Sequence, residues 1–433
     1  MIISQNKELL EKELGKGAFG EVYLTKIEND PALYATKVYD REKIEKSPDL
    51  FRYLKTEATI LKNLNHPNIV KLKEVKKTKK HFYLVTELCN GGELSKALKK
   101  YQEKYNRPFT EEIVQYLMRQ IIDGINYLHS KNIMHRDIKL DNILLNYDNE
   151  DDKNNFNIMK AKVKIIDFGF AIYLNNKLGI SIVGSPQNMD PIILKKLTSN
   201  GRLRKLGYDS KVDIWSLGSI CYEMLIGKAV FDAEDIDDLV SLIEKGDYRV
   251  PSDLSKEVVS FLNGMLQYDS NIRLNSAQLL HHRFLTENIK NFHKIDLNQV
   301  SGKVDNKDLM INVKSNKNQT IWAIFNEEDA KKLNNISPAQ LEQNPKDNNP
   351  MIQPKNSVIP TISTKSVDDA PIKSFKTHDN INYPNMVNIN YINQEDNPNY
   401  GPLLPRRDSN PIYVNQKFEN EINYTFSGGI FDV

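Results

Sequence analysis

The sequence predicts an α+β fold in two lobes, a small β-rich N-lobe followed by a larger, mostly helical C-lobe, with a largely disordered C-terminal tail. Three observations predict it. Short β-branched and aromatic runs (VYLTKI, ALYATKVY and HFYLVTEL) cluster ahead of the first long helical pattern, with one helix between them. From Thr110 to Ser130, Ile113, Leu117, Ile121, Ile125 and Leu128 recur at helical spacing behind Pro108 and Thr110, with two glutamates in the first turn. Beyond Thr286 the chain turns rich in Asn, Pro, Lys and Ser, with few apolar clusters.

These signals set the boundaries. One folded domain is expected over residues 4–285, with the N-lobe at about 4–88 and the C-lobe at about 92–285. Within the C-lobe, residues 146–160 (NYDNEDDKNNFNIMK) lie between the strand-like runs ILL and KVKII and are expected to form an inserted polar loop. Residues 286–433 are expected to be mostly disordered, with a short ordered segment at 311–327 around IWAIF.

Composition narrows the classes of function. The 433 residues carry 59 basic and 57 acidic side chains, a formal charge of +2, which gives no reason to expect nucleic acid or a membrane surface as a partner. The two cysteines, Cys89 and Cys221, can build neither a disulfide framework nor a four-ligand zinc site, and they point to a reducing compartment. The opening MIISQNKELL lacks the apolar run of a signal peptide, and no stretch of about 18 apolar residues follows. A soluble cytoplasmic or nuclear protein is the expectation.

The chemistry lies in ordered motifs. Gly15-Lys16-Gly17-Ala18-Phe19-Gly20-Glu21-Val22 places glycines at G-x-G-x-x-G spacing, where missing side chains let backbone N–H groups close over phosphates. A Rossmann turn has the same spacing but leads into a helix. Here the chain continues as EVYLTKI, with Ala35-Thr36-Lys37 on another strand, so a hairpin laid over phosphates fits better. His135-Arg136-Asp137-Ile138-Lys139-Leu140-Asp141-Asn142 is the most specific run, because four different polar side chains recur in the order phosphoryl transfer needs. Asp167-Phe168-Gly169 follows the strand KVKII and offers an oxygen donor of the kind Mg²⁺ prefers. Glu57 stands in the helical stretch LKTEATILKNL ahead of His66-Pro67-Asn68, and Gly184-Ser185-Pro186 and Asp213-Ile214-Trp215-Ser216-Leu217-Gly218 follow in order.

Through these motifs the stretch from Leu9 to Leu285 resembles the eukaryotic protein kinase family, and Lys139, two residues after Asp137, resembles its serine/threonine branch. The resemblance implies an ATP- and Mg²⁺-dependent enzyme acting on protein substrates. By that likeness Gly15, Gly17 and Gly20 cover the phosphates, Lys37 contacts them and pairs with Glu57, and Val22, Ala35 and Leu144 belong to the nucleotide site. Thr86 would be the gatekeeper, and Glu87 to Cys89 would offer backbone groups to adenine. Glu93 would meet ribose or a basic substrate side chain. Asp137 would orient the acceptor hydroxyl and take its proton, Lys139 would stabilise the transferring phosphoryl group, and Asn142 and Asp167 would hold Mg²⁺. Ser185 stands where a threonine usually bonds the catalytic aspartate and lysine, and Asp213 where an aspartate braces the catalytic-loop backbone.

Departures from the family pattern carry their own expectations. Asp190-Pro191-Ile192 replaces the usual Ala-Pro-Glu while Arg273, the usual partner of that glutamate, is kept, so Asp190 is expected to supply the missing carboxylate. The interval from Asp137 to Asp167 exceeds the family's by about the length of the polar loop, which should bulge outward without disturbing the metal site. Ser181 lies where an activating phosphate commonly sits, with Arg136 as counter-ion, although Ile172 stands where a second base is expected. A pseudokinase scaffold that binds nucleotide without efficient turnover, or a small-molecule kinase, are the alternative readings. ELCNGGEL and GSP bring the calcium/calmodulin-dependent and autophagy-initiating groups nearest. Glu93 and Asp141 would favour basic residues before the acceptor, and Arg406-Arg407-Asp408-Ser409-Asn410-Pro411 has that form. Ser409 is therefore a candidate autophosphorylation site and, once phosphorylated, a candidate ligand of 14-3-3-type phosphopeptide binders.

Overall fold

The computed structural model describes residues 9–16, 20–174, 178–199, 201–203, 205–292, 304–305, 308–312, 314 and 412–413. The β-branched and aromatic runs of the first lobe form β1 (Leu9–Lys16), β2 (Glu21–Ile27), β3 (Asp30–Asp40), β4 (Leu72–Lys77) and β5 (His81–Glu87), joined antiparallel in the order β1-β2-β3-β5-β4. Asn29 takes the left-handed φ (66°) that the tight β2–β3 turn demands. Between β3 and β4 come α1 (Arg41–Lys46) and α2 (Pro48–Lys62). Ser47 starts α2 by accepting from the Leu50 N–H, and Pro48 fits its first turn because no hydrogen bond is lost there. Helix α2 turns Tyr53, Leu54, Glu57, Ala58, Ile60 and Leu61 inward, so Glu57 lies one turn from Tyr53 on the face toward the sheet.

The second lobe begins with β6 (Gly92–Glu93), α3 (Leu94–Tyr105) and α4 (Glu111–Ser130). Thr110 caps α4, and its buried stripe of Leu117, Ile121, Ile125 and Leu128 is the periodic set of the sequence. Then follow β7 (Ile133–Met134), β8 (Ile143–Asn146), α5 (Glu150–Asn154), β9 (Lys162–Ile165), β10 (Ile172–Tyr173), β11 (Val183–Gly184) and α6 (Pro191–Thr198). Helix α7 (Lys211–Ile226) is buried on nearly every side and is the axis of this lobe, with α8 (Ile236–Lys245), β12 (Asp247–Pro251), α9 (Lys256–Met265), α10 (Ser276–Leu280) and α11 (Arg283–Thr286) completing it. No helix of the described residues is long and apolar enough to cross a membrane.

Strands β8 and β9 pair antiparallel with Ile143 opposite Ile165, and the bond from the Ile166 N–H to the Asn142 carbonyl (3.0 Å) extends that register. The end of the hairpin that carries Asn142 is thus also the end that delivers Asp167. The polar stretch 146–160 leaves from the opposite end, and it contains α5, capped by Asn149, with Tyr147 and Ile158 buried.

Compact structure continues past residue 285. Strands β13 (Val304–Asp305) and β14 (Asp308–Asn312) extend β12 into a sheet of order β12-β14-β13, with Tyr248 opposite Ile311, which is buried. The ordered piece therefore starts before the expected 311–327, whose residues after 314 lie outside the described residues. Local composition does not reveal it, because the strand is stabilised by a partner some sixty residues earlier in the chain. A last strand, β15 (Ile412–Tyr413), pairs antiparallel with β11.

Candidate active site

The nucleotide side of the site follows from strand alternation. Val22 pairs with Lys37, and Ala35 pairs with Thr86; since Ala35 and Lys37 are two apart on β3, all four fall on one face of the sheet. From there the Lys37 Nζ lies 3.2 Å from Glu57 Oε2 and 3.9 Å from Asp167 Oδ1. Tyr39 donates to the same Glu57 oxygen at 2.7 Å, and Tyr53, one turn before Glu57, donates to Asp167 Oδ1. Burial works against the Lys37 cation, but Asp167 and Glu57 outweigh it and raise its pKa. Burial likewise pushes Asp167 up, and Lys37 and the Tyr53 hydroxyl bring it below the usual carboxylate range. Glu57 goes the other way: burial carries its pKa up against the pull of Lys37 and Tyr39.

Of the three glycines, Gly20 is required by the chain itself, because an added Cβ would come within 2.5 Å of the Val38 carbonyl oxygen. Around Gly15 no atom of the described residues would be met within 4 Å, so their packing demands no glycine there. Gly17 lies outside the described residues. At the link between lobes the Glu87 N–H donates to the Lys71 carbonyl (3.0 Å), while its carboxylate receives the Lys71 N–H (2.8 Å) and the Lys164 ammonium (2.7 Å). Burial lifts the Cys89 thiol to about 12, which disfavours its thiolate. Leu144 on β8 stands opposite Glu93, whose carboxylate pairs with Lys96 at 2.8 Å. Asp141 accepts from Ser95 at 2.8 Å.

The catalytic loop closes a ring of hydrogen bonds. Ser185 Oγ donates to Asp137 Oδ1 (2.8 Å) and accepts from Lys139 Nζ (3.0 Å), and that ammonium is also 3.4 Å from Asp137 Oδ2. Asn142 Nδ2 donates to Asp137 Oδ2 (2.9 Å) and to the Asp137 carbonyl (2.8 Å), which leaves the Asn142 amide oxygen free to face a cation. Ser185 thus occupies the bridging place that the sequence assigned to it. Beneath the loop Asp213, fully buried, accepts the His135 and Arg136 N–H groups at 3.0 and 2.8 Å and takes a third bond from His129 Nε2 at 2.9 Å. Burial would raise its pKa, and those donors lower it. Arg136 and Asp167 both hold left-handed φ (69° and 65°), each at a cost of about 1–3 kcal/mol, with the surrounding bonds enforcing the geometry.

Two oxygen donors, Asn142 and Asp167, converge at one end of the β8–β9 hairpin, and among the described residues no cluster of three or more His, Cys, Asp or Glu could hold a metal alone. This donor set fits Mg²⁺, which keeps waters and substrate phosphates as its remaining ligands. Arg273 takes Asp190 as its acid, at 2.5 Å, with side chains 0% and 2% exposed. Asp190 also caps α6 through the Ile192 N–H, so one side chain fills two vacancies. Sequence reasoning missed Tyr39, Tyr53, His129 and Tyr208. Only Tyr53 carried a usable signal, its position one turn from Glu57.

Comparison with known proteins adds a family. The family model for the protein kinase domain matches residues 9–285. Calcium-dependent protein kinase 5 of Plasmodium falciparum is 34% identical over 316 residues, covering 68% of this chain and 51% of its own. Myosin light chain kinase A of Dictyostelium discoideum is 35% identical over 286 residues (65% and 88%), and serine/threonine-protein kinase atg1 of the same organism 33% over 293 (66% and 40%). The chain thus spans about half the length of the calcium-dependent kinase and less of the atg1 kinase.

Proposed function

The chain belongs to the protein kinase family, and from that premise we propose that it is an active serine/threonine kinase, transferring the γ-phosphoryl group of ATP to hydroxyls of protein substrates. The observation that carries this reading is the closed ring Asp137–Ser185–Lys139 with Asn142, completed by the Lys37–Glu57 pair. In the reaction the acceptor oxygen bonds to the γ-phosphorus as the bond to the β–γ bridging oxygen breaks, and ADP leaves. The acceptor proton passes to the Asp137 carboxylate. Lys139 and Lys37 face the charge that develops on the phosphoryl oxygens and on the leaving group. Asn142 and Asp167 would hold Mg²⁺, which supplies charge neutralisation on the phosphates when bound. The nucleotide-binding scaffold drew its support from the missing glutamate at Ile192 and from the unusual Asn188, and the Asp190–Arg273 pair bears on the first of these alone.

A preference for basic residues before the acceptor is supported by Glu93 and Asp141, whose present partners are the exposed Lys96 and the half-buried Ser95. The reading that the tail reaches the substrate site is supported by β15, which lies on β11 next to Ser185. Ser409 and its 14-3-3-type motif lie outside the described residues. The free thiols Cys89 and Cys221 fit a cytoplasmic or nuclear compartment. Transfer of labelled phosphate to a basic protein is the test, with Asp167→Ala as control. That variant should lose more than about a hundredfold of turnover. No transfer by the native chain would refute the reading.

A further inference from the structure

Arg136 sits next to Asp137 in the chain and is the counter-ion that the family resemblance gives to a phosphate on Ser181. Two of its five N–H donors already tie it to neighbouring segments. Nε donates to the Phe170 carbonyl at 2.6 Å and Nη1 to the Tyr208 hydroxyl at 3.1 Å, and that hydroxyl donates onward to the Ser181 carbonyl at 2.5 Å. Both acceptors are neutral, and one of them ties the arginine to the activation segment's own backbone.

The same stretch is fastened to the loop ahead of α7 at further points. Gly179 and Tyr208 exchange both backbone hydrogen bonds, at 2.8 and 2.9 Å. Lys196, 1% exposed on α6, donates to the Ile180 and Leu206 carbonyls at 2.6 Å each, with its ammonium 5.4 Å from the centre of the Tyr208 ring. Its acceptors are carbonyls and not carboxylates, and burial lowers its pKa to about 8. Placing an ammonium there costs free energy, which the fold accepts in order to join two segments. The segments can approach only because two glycines face them. A Cβ at Gly179 would come within 2.5 Å of the Tyr208 ring, and one at Gly207 within 2.5 Å of Leu178 Cβ.

We infer that Tyr208 and Lys196 are positioning residues that hold the activation segment in its substrate-docking geometry without a phosphate on Ser181. The inference rests on the kinase reading above. Ser181 runs through the buried residues Ile182 and Val183 and Gly184 to Ser185, whose hydroxyl bridges Asp137 and Lys139, so a fixed Ser181 carbonyl fixes the acceptor-side ring. Gly184 holds φ at 116° with its α-carbon close against the Arg136 carbonyl, where an added Cβ would be 2.6 Å away. The Gly184-Ser185-Pro186 turn is therefore located by Arg136 from two directions, and Ile172, the apolar residue that stands where the resemblance expects a second base, fits the same arrangement.

The test uses the full chain and an arginine-x-x-serine peptide. After treatment with a broad protein phosphatase, verified by mass, turnover should stay within about twofold, and Ser181→Ala should match it. Tyr208→Phe should raise KM for the peptide by about tenfold while KM for ATP is unchanged, the loss of a charge-assisted bond to Arg136. Lys196→Met should move the same constant the same way. A merely structural role would lower the melting temperature and the active fraction without separating the two KM values. Loss of more than about tenfold on dephosphorylation or in Ser181→Ala overturns the inference, as does a folded Tyr208→Phe with unaltered constants. Should Tyr208→Phe not fold, the phosphatase arm decides. Inactivity in every form, phosphorylated or not, would instead remove the kinase reading on which the inference stands.

Discussion

Two buried ion pairs, Lys37–Glu57 under the first lobe's sheet at 3.2 Å and Arg273–Asp190 in the second lobe at 2.5 Å, differ in what surrounds them. Arg273 is fully enclosed and spends three of its four remaining donors on the Gln267 and Lys211 carbonyls. It cannot shed its proton, so removing its acid strands a charge. Lys37 and Glu57 are held by a third charge, Asp167, and by two tyrosines, and either member has another partner to turn to. Burial already raises the Glu57 pKa, so it can neutralise itself by taking a proton. A pair meant to hold uses arginine and sealed walls. The Lys37–Glu57 pair instead consists of groups that can titrate or turn to another protein partner.

The sharpest way to break this contrast is at Asp190. Asp190→Ala should destabilise the domain by about 3–5 kcal/mol, from the unpaired buried guanidinium, with the lost cap of α6 adding about 1 kcal/mol. Urea unfolding of the chain and its variant measures this directly, and a change under about 1 kcal/mol would show that Arg273 is satisfied by carbonyls alone. Lys37→Met tests the other side. It should lower turnover more than about a hundredfold, about 2.7 kcal/mol of transition-state stabilisation, while unfolding midpoints shift far less than in Asp190→Ala. Equal destabilisation by the two variants would erase the distinction.

Which parts were visible in the sequence follows the same division. Where the family resemblance fixes both residue type and spacing, as from His135 to Asn142 and at Asp167, the residues could be named from the chain alone, and the structure shows Asp137 bonded to Ser185 and Asn142, and Asp167 beside Lys37. Asp190 was also legible, because a retained arginine without its usual acid is an electrostatic demand that a neighbour must meet. The polar stretch 146–160 could be read as harmless because it interrupts a hairpin, though not that α5 forms within it. Tyr39, Tyr208 and Lys196 left no trace. Lys196 in LKKL looks like any surface lysine, and its burial depends on Leu206 and Ile180 folding over it. The pairing of β14 with β12 was hidden for a related reason, since a strand in a polar tail is stabilised by contacts that local composition does not encode.

The smallest expected effect concerns Tyr53, which shapes the exchangeable pair without carrying charge. Its ring packs edge-on to Phe170 with centroids 5.2 Å apart, a contact that Tyr53→Phe preserves, so the variant isolates the hydroxyl that bonds Asp167. That hydroxyl is one of the groups holding the Asp167 pKa below its ordinary value, and its loss moves the pKa up. The sign follows directly: Asp167 must be ionised to serve a metal, a lowered pKa keeps it ionised further into acid, and a raised one withdraws it earlier as pH falls. Tyr53→Phe should therefore shift the acid limb of the kcat/KM profile to higher pH, while kcat/KM at pH 7 stays within about threefold because one net hydrogen bond is worth about 1 kcal/mol or less. An acid limb that stays in place, or moves to lower pH, would mean that the Tyr53 bond does not govern the ionisation of Asp167 in the working enzyme.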